Sequence, residues 1–243
     1  MRAFCLTGND GQIKDRDMLD LYEGYLALGY EVKMFKEIDL VINPKLITKD
    51  DIFCGHVSIC IRILKNNRIP IPVSYDYPKE LKSYLGRNIS RMTLMQFHNS
   101  LIEDELEVFV KPVKNKLFTG FVGYFPKDLD KITCNMETEI YVSEVVKFDA
   151  EFRVYIYQNK IVGSYRYWGD NWKVYINTDE VEKMLALLIN MPIFYSIDVG
   201  VDDKGKTLLV EVNDGYALGN YGLSPNEYAR MSAARWQEIC SVL

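Results

Sequence analysis

Residues 195–213 constrain this chain more tightly than any other stretch. Two apolar runs rich in valine, leucine and isoleucine flank Asp202, Asp203, Lys204 and Gly205. That pattern is an antiparallel hairpin with a glycine-containing turn. Asp198 falls on its first strand, and Glu211 and Asn213 on its second. Side chains two apart on a strand face the same side, so Glu211 and Asn213 share a face. Asp198 stands thirteen residues before Glu211 and can join them across the turn. Leu208, Leu209, Val210 and Val212 surround the pair, and polar groups among such neighbours are costly without partners. Three hard oxygen donors on one rigid surface suit magnesium ions that also touch polyphosphate oxygens. The plain alternative is an ordinary hairpin with a solvated acidic face.

The rest of the chain changes texture near residue 105. Before it, an apolar run at 2–6 ends in a turn, Met18 to Leu28 follow helical spacing up to Gly29, and 31–35 alternate as a strand. Strand, helix and strand at this spacing indicate an α/β unit with parallel strands. Apolar stretches at 52–54, 57–64 and 69–73 repeat the style. The prolines of 69–78 keep that segment out of a sheet centre and mark a boundary. Helices are expected at 79–85 and 93–101. Beyond residue 105 the spacing predicts strands at 107–113, 117–125, 139–148, 151–157 and 160–168. Gln158 and Asn159 form the turn between the last two. Helices are expected at 180–191 and 225–243. The predicted organisation is an α/β lobe over 1–90 and a strand-rich domain over 91–243, with a hinge near 144–148.

Composition excludes several classes. The chain has 243 residues, 48% hydrophobic and 26% charged, so it is not disordered in character. A net charge of −5 argues against a nucleic-acid binder that relies on bulk positive charge. Five scattered cysteines include no C-x-x-C pair, so free buried thiols are expected rather than zinc or disulfides. No apolar stretch is long enough for a signal peptide or a membrane span. The expected location is the cytoplasm.

Further candidate residues precede the hairpin. Phe109-Val-Lys-Pro112 is a strand ending in Lys111, a point-charge donor suited to polyphosphate. Arg153 and Arg166 stand on neighbouring strands among Tyr155, Tyr165, Tyr167 and Trp168. Arginine clamps carboxylate and phosphoryl oxygens bidentately, so both are candidates for holding a transferring phosphate and a substrate carboxylate. Lys173, placed on a following strand, is a third candidate for the same cluster.

An Asp, a glycine turn and Glu-x-Asn at this spacing, behind the lysine strand and the Glu144/Glu151 interval of seven, resemble the ATP-grasp superfamily. The likeness is closest to its compact bacterial and phage clade of amide or peptide ligases. The resemblance implies an ATP-grasp fold, α/β (α+β), with a reduced N-terminal lobe of the pre-ATP-grasp type. It implies that Lys111 meets the α- and β-phosphates and that Lys116, Thr119 and Gly120 lie in a phosphate-covering loop. Backbone groups of Glu144, Val145, Val146 and Lys147 would read the adenine, and Glu151 would accept from the ribose hydroxyls. Asp198, Glu211 and Asn213 would hold Mg2+. ATP would lie between two strand-rich subdomains and phosphorylate a carboxylate, and an amine would then attack the acyl phosphate. The implied substrates are small-molecule or peptide carboxylates and amines. Tyr216 and Asn220, in the glycine-rich 214–222 stretch, are candidates for touching the second substrate. One departure stands out. Ligases acting on D-alanine carry Arg two positions before the metal Asp, and here that position is Ser196. A phosphotransferase without ligation, and a nucleotide-binding module without catalysis, remain the alternatives. A homodimer through the front lobe is equally compatible with the sequence.

Overall fold

A computed structural model describes residues 1–100, 106–113 and 117–241. The chain divides into two compact units: Met1–Lys82 together with Asp149–Leu243, and the inserted segment Ser83–Phe148.

The first unit opens with β1 (Arg2–Thr7), α1 (Arg16–Ala27) and β2 (Glu31–Lys36). β1 and β2 pair in parallel from Arg2↔Glu31 to Thr7↔Lys36, and Ile52 bridges Ala3 in parallel on the other edge. Asp15 starts α1 by accepting from Met18 N at 2.9 Å. α2 (Glu37–Ile42) and α3 (Val57–Asn66) follow. Residues 69–73 form no regular strand. Pro70 and Pro72 lack the N–H a ladder needs.

After the inserted unit the chain returns with β7 (Phe148–Tyr157), β8 (Lys160–Trp168), α5 (Thr178–Leu187), β9 (Phe194–Asp202), β10 (Thr207–Asp214) and α6 (Pro225–Ser241). The four strands form one sheet in the order β10-β9-β7-β8. α5 starts two residues before its sequence-based start. Asn177 accepts from Asp179 N at 3.1 Å and Glu180 N at 3.4 Å, and so caps the helix earlier. Lys173 falls in an irregular segment, not on a strand. A buried core joins the two parts of this unit: Tyr25, Phe53, Phe194, Tyr228 and Trp236 are all within 1% of full burial. The Trp236 indole donates to Asp51 O at 3.0 Å. Cys5, Cys54 and Cys60 sit in the same core as free thiols. Burial pushes the Cys5 and Cys54 thiols up to about 12. They are packing groups, not nucleophiles.

The second unit contains β3 (Ile89–Thr93), α4 (Leu94–Ser100), β4 (Leu106–Pro112), β5 (Phe121–Phe125) and β6 (Glu139–Ser143). Its sheet runs β3-β6-β4-β5, with every pair antiparallel. Phe97, Val110, Phe125 and Ile140 fill its own core. The strand expected over 139–148 ends at Ser143. Residues 144–147 leave the ladder before β7 begins.

The β7–β8 turn places Gln158 at φ 51° and Asn159 at φ 57°, which is the left-handed pair a two-residue hairpin needs. Glutamine gains nothing locally from that region. Replacing the pair by Asn-Gly should therefore raise stability by about 1 kcal/mol. Thermal melting checks it, and an unchanged or lower midpoint would contradict the turn assignment.

Candidate functional site

Glu211 and Asp198 are direct partners across the β9–β10 ladder, and Asn213 faces Ser196. An irregularity between Leu209 and Glu211 resets the register just before the site. The three side chains do converge. The Asn213 amide nitrogen donates to Glu211 Oε1 at 2.9 Å and to Asp198 Oδ2 at 3.2 Å. With both neighbours acceptors, the amide oxygen of Asn213 must face away from them.

Arg153 joins the cluster from β7. Its Nε donates to Asp198 Oδ1 at 2.9 Å and its Nη2 to Oδ2 at 2.7 Å. The Ser196 hydroxyl also donates to Oδ1, at 2.9 Å. Both ions are nearly buried, the side chains being 10% and 2% exposed. Burial pushes the Asp198 carboxyl above the ordinary range, against the pull of the Arg153 guanidinium. Every partner of Asp198 is a donor, so the geometry holds its ionised form. Burial likewise works against the Arg153 charge, but Asp198 outweighs it and the guanidinium stays fully protonated.

The loop after β10 closes over this network. Arg153 Nη1 donates to Gly219 O at 3.3 Å, and the Tyr155 hydroxyl donates to the same oxygen at 2.8 Å. The Tyr155 hydroxyl also accepts from Tyr221 N at 2.9 Å. The Tyr221 ring lies 4.9 Å from the Arg153 guanidinium and stacks on Tyr167 at 5.1 Å. Asn220 is pinned from α1: its N–H donates to Asp17 Oδ1 at 3.0 Å and its amide to Asp20 Oδ2 at 2.8 Å. Burial, the largest influence, raises the Asp17 carboxyl. A side chain at Gly219 would stand 3.0 Å from Asp17 Oδ2 and 3.7 Å from Arg153 Nη1.

The remaining sequence candidates separate by unit. Glu151 lies on the Arg153 side of β7, and its carboxylate accepts from the Tyr167 hydroxyl at 2.6 Å. Arg166 does not join the Arg153 cluster. Its guanidinium sits over Phe152 at 5.0 Å and donates to the carbonyls of Gly169, Asn171 and Val174. Arg166 therefore staples the 169–174 turn. Lys173 is exposed there, its ammonium 5.6 Å from the Trp172 ring. In the other unit, Lys111 pairs with Tyr141 across β4 and β6, its Nζ 5.8 Å from that ring. Thr119 is exposed and Gly120 half-buried just before β5. Lys116 lies outside the described residues. Glu144 accepts from Asn88 N at 2.9 Å and from its side-chain amide at 3.2 Å, which holds its carboxyl low. Val145, Val146 and Lys147 follow it outside any strand.

Sequence reasoning missed Tyr155, Tyr167, Tyr221 and Asp17. The first two had a signal, since Tyr155 sits two residues from Arg153 and Tyr167 two from Tyr165 on alternating strands. Asp17 had none. It is 203 residues from its partner Asn220.

Among the described residues, no three His, Cys, Asp or Glu side chains converge on a metal position. The convergence here is two carboxylates and an amide. The Asn213 amide oxygen and the Glu211 carboxylate are hard oxygen donors that fit a magnesium ion. Asp198 fits less well, because the chain's own donors already surround it.

The family model described as ATP-grasp domain, R2K clade family 2, matches residues 84–231, more than half of the chain, and the chain belongs to that family. The fold is similar to that of D-cycloserine synthetase, with a TM-score of 0.61, 11% identity, and 98% of this chain and 100% of that one covered. It is also similar to an ATP-grasp RimK domain protein of Sphaerobacter thermophilus (TM-score 0.55, 11% identity, 99% and 98% covered). D-alanine–D-alanine ligase of Bacillus anthracis, complexed with ATP, gives a TM-score of 0.53 at 15% identity, with 99% and 98% covered. No curated protein sequence matches the chain. Among the described residues, no helix is long and apolar enough to cross a membrane.

Proposed function

We propose that this chain binds ATP with magnesium, activates a carboxylate as its acyl phosphate and joins it to an amine. The observation that carries this reading is the β9–β10 hairpin. Glu211 and Asn213 share one face, and the amide is oriented by two carboxylates so that its oxygen points outward. Membership of the ATP-grasp family supports the nucleotide. The fold's likeness to proteins named as a synthetase and a ligase supports ligation as the reaction class.

In this reading Glu211 and Asn213 hold the magnesium ion, which when bound neutralises charge on the β- and γ-phosphates. Arg153 keeps two of its five N–H donors beyond those given to Asp198 and Gly219. Those two meet the phosphoryl or carboxylate oxygens where charge develops. Glu151 accepts from the ribose, with Tyr167 fixing its orientation. Lys111, Thr119, Gly120 and the backbone of residues 144–147 serve the phosphates and the adenine. The substrates are a small-molecule or peptide carboxylate and an amine.

Calorimetric titration with ATP, with and without magnesium chloride, tests the reading. The wild type should bind in a magnesium-dependent way. Combining Glu211→Ala with Asn213→Ala should weaken that binding by at least about 100-fold, the sum of two charge-assisted contacts. No ATP binding by the wild type at any magnesium concentration would sink the proposal. ADP release would then be followed against amino acids and short peptides. A stable phosphorylated product with no amine requirement would turn the reading to a phosphotransferase.

A further inference from the structure

Asp198 has no lone pair left for a cation. Its Oδ1 accepts from Arg153 Nε and Ser196 Oγ, both at 2.9 Å. Its Oδ2 accepts from Arg153 Nη2 at 2.7 Å and Asn213 Nδ2 at 3.2 Å. A carboxylate offers about four acceptor directions, and four donors from this chain fill them. The side chain is 2% exposed. Glu211 and Asn213 are both only half-buried.

We infer that Asp198 is a positioning residue, not a metal ligand: it anchors the Arg153 guanidinium and, through it, the loop over 215–224. The magnesium ion is left to Glu211 and Asn213. This rests on the nucleotide reading proposed above. The anchoring path is continuous within one unit. Asp198 fixes Arg153, Arg153 Nη1 holds Gly219 O, and the guanidinium lies against the Tyr221 ring. Tyr155 ties the same carbonyl to Tyr221 N. Neutralising Asp198 frees the guanidinium and loosens the loop. Neutralising Glu211 removes a cation donor and leaves that path intact.

Three proteins decide the matter: Asp198→Asn, Glu211→Gln, and the pair Arg153→Gln with Asp198→Asn. The pair removes both buried charges and serves if the single Asp198 variant does not fold. Each is titrated with a non-hydrolysable ATP analogue with and without magnesium chloride, and hydrogen exchange is followed over 215–224. The magnesium-dependent gain in affinity should stay within about threefold of wild type in Asp198→Asn and fall at least about tenfold in Glu211→Gln. Exchange over 215–224 should rise at least about tenfold in both Asp198 variants and stay at the wild-type rate in Glu211→Gln. If Asp198→Asn loses the magnesium gain as Glu211→Gln does, Asp198 is a ligand and the inference is overturned. Unchanged exchange in both Asp198 variants overturns the anchoring. A wild type without magnesium-dependent binding defeats the nucleotide reading instead, and the exchange measurement still decides the anchoring.

Discussion

Replacing Arg153 with methionine should lower stability by about 3–5 kcal/mol, the cost of leaving a buried carboxylate without its counter-ion. Methionine retains most of the apolar stem, so little of the loss comes from a cavity. The loss is electrostatic because Asp198 is 2% exposed and takes two of its four hydrogen bonds from this one guanidinium. For a chain of this length the midpoint of thermal melting should fall by roughly 10 °C. Combining Arg153→Met with Asp198→Leu removes both charges and should recover much of the loss, since buried ion pairs seldom outperform apolar replacements. The exposed pair Arg91–Glu139, at 2.8 Å but with half-exposed side chains, is the control. Arg91→Met should leave the melting midpoint close to that of the wild type. If Arg153→Met melts within 2–3 °C of wild type, roughly the effect of a surface pair, Asp198 does not depend on it.

The hairpin that holds Asp198 was legible because its signals are local. Apolar runs, a glycine-containing turn and two polar residues at spacing two fix strand, turn and face together. The same logic found the Gln158–Asn159 turn, whose positive φ values the structure shows. What stayed hidden depends on partners distant in sequence. Arg153 and Arg166 look equivalent as arginines on adjacent strands. Ladder irregularities next to Glu151 and next to Tyr155 pair Arg153 with Tyr165 and Arg166 with Phe152. Arg153 then meets Asp198, while Arg166 meets the carbonyls of its own turn. Periodicity cannot register a bulge of one residue. Lys173 was read as strand-borne, but Arg166 donates to the carbonyls of Asn171 and Val174 and staples that segment as a turn. Asp17 was invisible as a site neighbour because an acidic first turn is the ordinary start of a helix.

Gly24→Ala should destabilise the chain by about 3 kcal/mol, although alanine is the better helix former by about 1 kcal/mol. Gly24 lies in the last turn of α1, where helix α6 crosses it. A Cβ built there would stand 2.1 Å from Pro225 O and 2.5 Å from the Ala229 methyl. Carbon and carbonyl oxygen normally keep at least about 3.3 Å apart, so the two helices would have to separate by about an ångström. Tyr25 and Tyr228, both within 1% of full burial, pack in the core beside this crossing and would lose contacts as it opens. The effect reaches the site, because α1 also carries Asp17 and Asp20, which hold Asn220. Displacing α1 should therefore raise hydrogen exchange over 215–224 together with the loss in denaturant stability. Adding Ala229→Gly removes the 2.5 Å clash but not the closer one with the Pro225 backbone. The double variant should regain less than half of what Gly24→Ala loses. Full recovery, or a Gly24→Ala protein as stable as wild type, would mean the helices do not meet at this glycine.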